Sequence, residues 1–167
     1  MNKILEIRNL YKSFGRGGYQ TSVLKDVSMD IYQGDFMAVM GPSGAGKTTL
    51  LNMLSTLDKP TRGTILLEGQ DVVKMKNKQL SLIRRDKIGF IFQDYNLLDN
   101  MTLQDNIALP LTLNGVSPEK TIQKVQEKAV RFGLEAHLKK YPYQLSGGQK
   151  QRAASARALI TNPRILF

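Results

Sequence analysis

Near the start of the chain Leu5 and Ile7 interleave with Lys3, Glu6 and Arg8, and further on Val27, Met29 and Ile31 alternate with Ser28 and Asp30. A period of two sends apolar side chains to one face and polar ones to the other. Both segments therefore read as strands of a half-exposed antiparallel sheet, the second closed by Gln33 and Gly34. The run at residues 36–40 is different, because it is continuously apolar and leads into a glycine-rich turn. That is the pattern of a strand buried on both faces in a parallel sheet. Residues 64–68 and 88–92 read as further strands, with a basic helix over residues 78–86 between them.

Past Lys47 the period lengthens. Leu50, Leu51, Leu54 and Leu57 recur at helical spacing until Pro60 and Gly63 end the segment. Residues 102–138 form a helical stretch, with Ile122, Val125, Ala129 and Phe132 on one face and Gly133 as a C-terminal stop. One more helix is expected over residues 149–160, then a turn at Asn162 and Pro163, then a buried strand opening at residues 164–167. That strand is still apolar at the last residue, so we expect a domain incomplete at its C-terminal end. Met37, Met40 and Met53 fall in core-type positions and read as gap fillers.

The 167 residues and 41% hydrophobic content suit one globular domain with a real core. The absence of cysteine excludes a disulfide framework and thiolate metal sites, and the single histidine, His137, leaves too few ligands for zinc. A reducing, cytosolic setting is expected. The longest apolar run is far shorter than the ~20 residues that cross a bilayer, and the alternating start does not resemble a secretory signal. Twenty-four Lys and Arg against fourteen Asp and Glu give a net charge of +10, which suits nucleotide phosphates, nucleic acid or an anionic membrane face. The basic residues are scattered, so solvated faces are the favoured reading and direct nucleic-acid binding is not expected. His137 reads as a solvated helix-end residue.

Two segments carry chemistry. Gly41, Pro42, Ser43, Gly44, Ala45, Gly46, Lys47 and Thr48 fit G-x-x-x-x-G-K-[ST], followed by Thr49. In that spacing glycines let backbone amides wrap phosphates, the lysine reaches the β and γ oxygens, and the threonine hydroxyl ligates Mg²⁺. A guanine-reading Asn-Lys-x-Asp is missing, which argues against a GTPase. About a hundred residues on, Leu145, Ser146, Gly147, Gly148 and Gln149 read as a helix start: Ser146 caps the backbone, Gln149 reaches back, and two glycines let a ligand approach. Free amide hydrogens there would face an anion.

With these two segments in this order, and Gln93 after the apolar residues 88–92, the chain resembles the ATP-binding cassette ATPase family over essentially its whole length. Finer texture at residues 57–60, 83–90 and 108–111 is similar to the subgroup serving macrolide, lipoprotein-release and antimicrobial-peptide transporters. The resemblance implies an α/β fold: a P-loop NTPase (RecA-like) core with an antiparallel β-subdomain, over residues 1–93 and 155–167, and an inserted helical subdomain over residues 94–154. It implies ATP and Mg²⁺ as cofactors, and a head-to-tail homodimer or paired ATPase subunit with each ATP between one phosphate loop and the partner's Ser146, Gly147, Gly148 and Gln149. Lys47 and Gln93 would be catalytic, and Thr48 and Gln93 would ligate the metal. Gln93 can also be read as a plain strand terminus.

Phe14 stands where the family stacks adenine, with Tyr11 the alternate and a surface aromatic the plain reading; residues 16–18 would be a mobile loop beside it. The apolar residues Tyr95, Leu97, Leu98 and 107–111 would dock a transmembrane permease or else pack internally. The chain would then be the ATPase of an exporter, cytoplasmic and peripheral on the inner face of the membrane. The family's magnesium-supporting Asp, catalytic Glu and switch His belong past residue 167, so hydrolysis by this stretch alone would be poor. A soluble cassette protein acting in translation or DNA repair, or a non-catalytic remnant that binds nucleotide only, are the other readings.

Overall fold

Alternation at the start of the chain does make a strand, longer than the pattern marks out: β1 runs Lys3–Phe14, with Leu5, Ile7 and Leu10 buried on one face. Its neighbours are β2, Thr21–Tyr32, and β3, Arg62–Leu67, both antiparallel to it. Register is set by apolar residues facing one way, with Ile7 opposite Met29 on one side and Ile65 on the other. A short β4, Gln70–Asp71, completes the order β2-β1-β3-β4. Glu68 and Gly69 both have positive φ at the β3–β4 hairpin, as a tight two-residue turn requires. The antiparallel β-subdomain expected from the sequence is thus present, and the segment at residues 64–68 belongs to it.

The computed structural model describes residues 2–15 and 19–167, and forms two compact units, Met1–Arg84 and Arg85–Phe167. The loop expected at residues 16–18 lies outside the described residues. In the first unit α1, Lys47–Leu54, buries Leu50, Met53 and Leu54. It stops there because Thr56 takes a left-handed φ of 62°, and an Arg84 guanidinium nitrogen donates to the Thr56 carbonyl oxygen at 2.9 Å. Leu57, expected on the helix, is therefore past its end and exposed. The basic helix is α2, Asn77–Asp86, with Leu80 and Ile83 buried. Met53, Ile65, Val72 and Leu80 line one small cavity, so α1, β3 and α2 share this core.

Residues 36–40 do not form the buried strand that their pattern predicts. They carry no strand structure, and Phe36 and Met40 are 100% and 88% exposed. A parallel strand exists only through ladder bonds to neighbours, and no strand pairs with this run among the described residues. Met37 is exposed for the same reason, leaving Met53 as the one core methionine of the three expected.

In the second unit β5, Ile88–Gly89, pairs in parallel with β6, Ile165–Leu166. Ladder bonds from Ile91 N to the Phe167 oxygen and from Phe167 N to the Gly89 oxygen extend the pairing. The expected strand at residues 164–167 is present but not buried, since Leu166 is exposed. The expected helical stretch divides into α3, Leu103–Leu113, and α4, Pro118–Phe132. Gly133 ends α4 in a left-handed conformation, as expected. Thr121, Val125 and Ala129 form the inward stripe of α4, so Ile122, expected inside, points outward. Next comes α5, Gly147–Leu159, whose small Ala153 and Ala156 join Leu103, Ile107, Leu111, Val125 and Ala129 in the core. Ile107 and Leu111 are therefore core residues and not a docking surface, and Leu97 packs against the same core.

Two polar sites support these units. Asn106 is fully buried; its amide nitrogen donates to the carbonyls of Leu98, Met101 and Thr102, and its oxygen accepts from Leu98 N at 2.7 Å. On the outer face of β1 and β2, Asp30 pairs with Arg8 at 2.5 Å and with Lys3 at 3.2 Å. Hydrogen bonding from Arg8 first, opposed by partial burial and helped by Lys3, holds the Asp30 carboxyl below its usual range.

Replacing Asn106 by Ala should destabilise the second unit by about 3 kcal/mol, since it strands buried backbone partners; chemical denaturation reads this directly. The depressed Asp30 carboxyl binds its proton less readily in the folded state. Its contribution is complete above the unfolded-state value of about 3.9 and fades as pH falls through the lower folded value. Asp30→Asn should therefore lower the melting temperature near neutral pH and narrow its gap to the parent as the solution is acidified.

Candidate functional site

The phosphate loop is set by one glycine. Gly46, the N-cap of α1, has φ +85°, and a Cβ there would lie 2.9 Å from Val23 Cγ1 and 3.1 Å from Leu24 Cδ2 on β2. Only glycine lets α1 start this close to the sheet. The first intrahelical bond runs from Leu50 N to the Gly46 oxygen at 2.8 Å, so the amides of Lys47, Thr48 and Thr49 have no intrahelical acceptor. Neither a capping side chain nor an acidic residue occupies that first turn. The Lys47 ammonium donates to the carbonyls of Gly41 at 2.8 Å and Pro42 at 2.7 Å, which centres its charge in the loop. Gly44 also has positive φ, and Gly41, Pro42, Ser43, Gly44, Ala45 and Thr48 are exposed. An ammonium, unpaired amides and the positive end of a helix thus converge on one accessible turn, an arrangement that fits polyphosphate.

At the second segment the capping box expected from the sequence is in place. The Ser146 hydroxyl accepts from Gln149 N at 3.3 Å, and the Gln149 carboxamide oxygen accepts from Ser146 N at 2.8 Å. Leu145, buried in the helical core, anchors the chain just before the turn. Neither glycine here has positive φ among the conformations recorded for the described residues. A Cβ on Gly147 would meet only the Tyr95 hydroxyl at 3.9 Å, and one on Gly148 nothing within 4 Å. The fold has room for side chains at both positions. That space leaves the free amides of the helix start open to approach from outside.

Gln93 is exposed in a turn after β5. Beyond Asp94, Tyr95 and Asn96 are left-handed at φ 61° and 45°, and Arg157 on α5 donates to their carbonyls at 2.8 and 2.7 Å. Burial pushes the Arg157 guanidinium below its usual range. Its anchoring role escaped the sequence reading; a lone cation among the buried alanines of α5 was the available signal.

Phe14 closes β1 and is 47% exposed, with the Lys12 ammonium 4.9 Å from its ring centre. Lys12 is itself buried, paired with Asp58 at 2.6 Å and bonded to the Lys59 carbonyl at 2.7 Å. The alternate, Tyr11, has the Arg62 guanidinium 3.9 Å over its ring. Phe14 therefore offers the more accessible aromatic surface. His137 is not a solvated end residue as expected: it is half-buried, and its Nε2 lies 2.9 Å from Gln149 Nε2. Helix ends look alike in sequence, and only tertiary packing brings this one against α5. Among the described residues no group of acids and histidines forms a protein-only metal site, and no helix is long and apolar enough to cross a membrane.

The sequence profile of the ABC transporter family matches residues 24–167. This chain belongs to the ABC transporter family. It is 44% identical over 98% of its length to the bacitracin export ATP-binding protein BceA of Halalkalibacterium halodurans, and 46% identical over its full length to the ABC transporter ATP-binding protein YxdL of Bacillus subtilis. The macrolide export ATP-binding/permease protein MacB of Escherichia coli K12 is 42% identical over the full chain. The chain spans 65% of the length of the first two relatives and 26% of the third. A dimeric ATP-binding cassette solved in a post-hydrolysis state with ADP and Pi matches at a TM-score of 0.91 and 39% identity, over 98% of this chain and 72% of that one. The expected α/β cassette fold is thereby borne out.

Gly46→Ala should cost on the order of 2 kcal/mol from the left-handed backbone alone, with a further penalty from the clash with Val23. Nucleotide titration and thermal melting should both register the change, because loop and core meet at this position.

Proposed function

We propose that this chain is the nucleotide-binding part of an ATPase that powers export through a membrane permease. The turn at residues 41–49 grips the phosphates: backbone amides wrap them, Lys47 neutralises the β and γ oxygens, and the Thr48 hydroxyl would hold Mg²⁺, with Gln93 the other candidate ligand. Phe14 stacks on adenine, which needs only an accessible π face. Ser146, Gly147, Gly148 and Gln149 of a second copy approach the same nucleotide from the other side. Phosphate charge held between two helix starts joins the copies, and loss of the γ-phosphate on hydrolysis releases them. Bound Mg²⁺ would supply charge neutralisation to the phosphates.

The observation that carries this reading is the pair of glycines opening α5, which have space around them and no conformational need to be glycine. Export is favoured over translation or repair because two of the relatives cited above are named for bacitracin and macrolide export. The permease contact places the protein at the inner face of the membrane, and its cargo is an antibiotic-like or lipoprotein molecule selected by the permease.

The decisive comparison uses Gly148→Asp and Lys47→Ala in the intact protein. An acid in the first turn of α5 suits the helix dipole and meets no neighbour, so folding stability should hold within about 0.5 kcal/mol or rise. The same charge faces phosphate in the joined state, so MgATP-driven dimerisation, followed by sedimentation, should weaken at least about tenfold. Lys47→Ala should lose nucleotide affinity outright. Unchanged dimerisation in the Gly148 variant would sink the two-copy site.

A further inference from the structure

We propose that His137 is a positioning residue that fixes the orientation of the Gln149 carboxamide, and through it the anion-facing first turn of α5. The inference rests on the reading of residues 146–149 as a nucleotide-binding edge.

Its geometry follows from donor and acceptor identity. Ser146 N is a backbone donor and lies 2.8 Å from the Gln149 oxygen, so the carboxamide nitrogen must point the other way. It points at His137 Nε2, 2.9 Å distant. An amide nitrogen only donates, so Nε2 of the ring is the acceptor in this contact and the Nδ1–H tautomer is the one that fits it. Reversing the carboxamide would set its NH₂ against the Ser146 N–H, and a proton on Nε2 would set two donors against each other. One relay therefore has one self-consistent arrangement, running from the His137 ring through the Gln149 side chain to the Ser146 amide.

The ring is well placed to impose this order. His137 ends the short 3-10 turn Glu135–His137, and its N–H donates to the carbonyl of the fully buried Leu134 at 2.9 Å. Its own carbonyl accepts from Lys140 N at 2.9 Å. The imidazole is thus presented to Gln149 from backbone tied to the helical core. Nδ1 is buried and has no hydrogen-bond partner among the described residues.

The consequence lies at the open face of the helix start. With the Ser146 amide committed to Gln149, and the Gln149 amide to the Ser146 hydroxyl, the amides of Gly147 and Gly148 are the donors left facing the space beside the glycines. A carboxamide free to rotate leaves that set unfixed, so anion binding would have to order it.

The experiment compares the intact parent protein with His137→Phe, which keeps a ring and removes the acceptor, and His137→Gln, which returns an acceptor near the Nε2 position. In the parent, ¹⁵N spectra recorded well above the histidine titration range should show a single neutral tautomer protonated at Nδ1. The Gln149 side-chain amide should be protected from exchange in the parent and in His137→Gln, and unprotected in His137→Phe. MgATP-driven dimerisation should weaken about tenfold in His137→Phe, the scale of one lost hydrogen bond, and recover in His137→Gln. Nucleotide affinity at the phosphate loop should not change.

An Nε2-protonated ring, or dimerisation equal in all three proteins, would overturn the proposal. If the parent itself does not dimerise with MgATP, the functional reading falls and takes the positioning role with it. A parent that dimerises beside an unimpaired His137→Phe variant defeats the positioning role alone.

Discussion

Backbone amides that a helix cannot use itself are the constraint on which this chain is organised. Each of the helices α1 and α5 begins at an accessible turn where N–H groups lack intrahelical acceptors, and the two ends solve that problem in opposite ways. At α1 no side chain caps the turn, and Lys47 adds a cation that the loop carbonyls hold in place. At α5 a reciprocal Ser146–Gln149 pair satisfies part of the set and leaves the glycine amides facing outward. Both ends suit anions, one by charge and the other by order.

Such turns work only if something rigid holds them. The loop before α1 is fixed by the contact of Gly46 with Val23 and Leu24, which places the helix start against the antiparallel sheet. The α5 turn is fixed from behind by Leu145 in the helical core and from the side by His137. A similar logic governs the segment after Gln93, where Arg157 holds the carbonyls of two left-handed residues and Asn106 satisfies the backbone of Leu98. Buried polar groups here serve to aim loops. Removing one leaves a partner unpaired, which costs more than the net value of the bond itself.

Much of this was legible beforehand, for identifiable reasons. Period-two alternation located β1 and β2, the glycine at position 133 located the end of α4, and the three-residue spacing of Ser146 to Gln149 announced its capping box, because each depends on residues close in sequence. The phosphate loop was legible for the same reason. Misreadings came where local pattern met a non-local decision. Residues 36–40 are apolar enough for a buried strand, but a strand also needs neighbours to complete its ladder, and among the described residues none is paired with it. Ile122 and Leu57 sit at plausible helical spacing. The stripe of α4 is nevertheless turned to Thr121, and α1 ends before Leu57 where Thr56 turns left-handed.

The sequence by itself determined which turns could hold phosphate, since glycine, lysine and a serine–glutamine pair act over a few residues through backbone geometry. It also determined family membership, through motifs whose order and spacing are local facts. Tertiary structure alone decided that residues 107 and 111 face the core, that Phe14 is more open than Tyr11, and that the one histidine meets Gln149. Those outcomes depend on which surfaces pack together. Packing joins residues by shape and burial across the fold, and no short-range period encodes it.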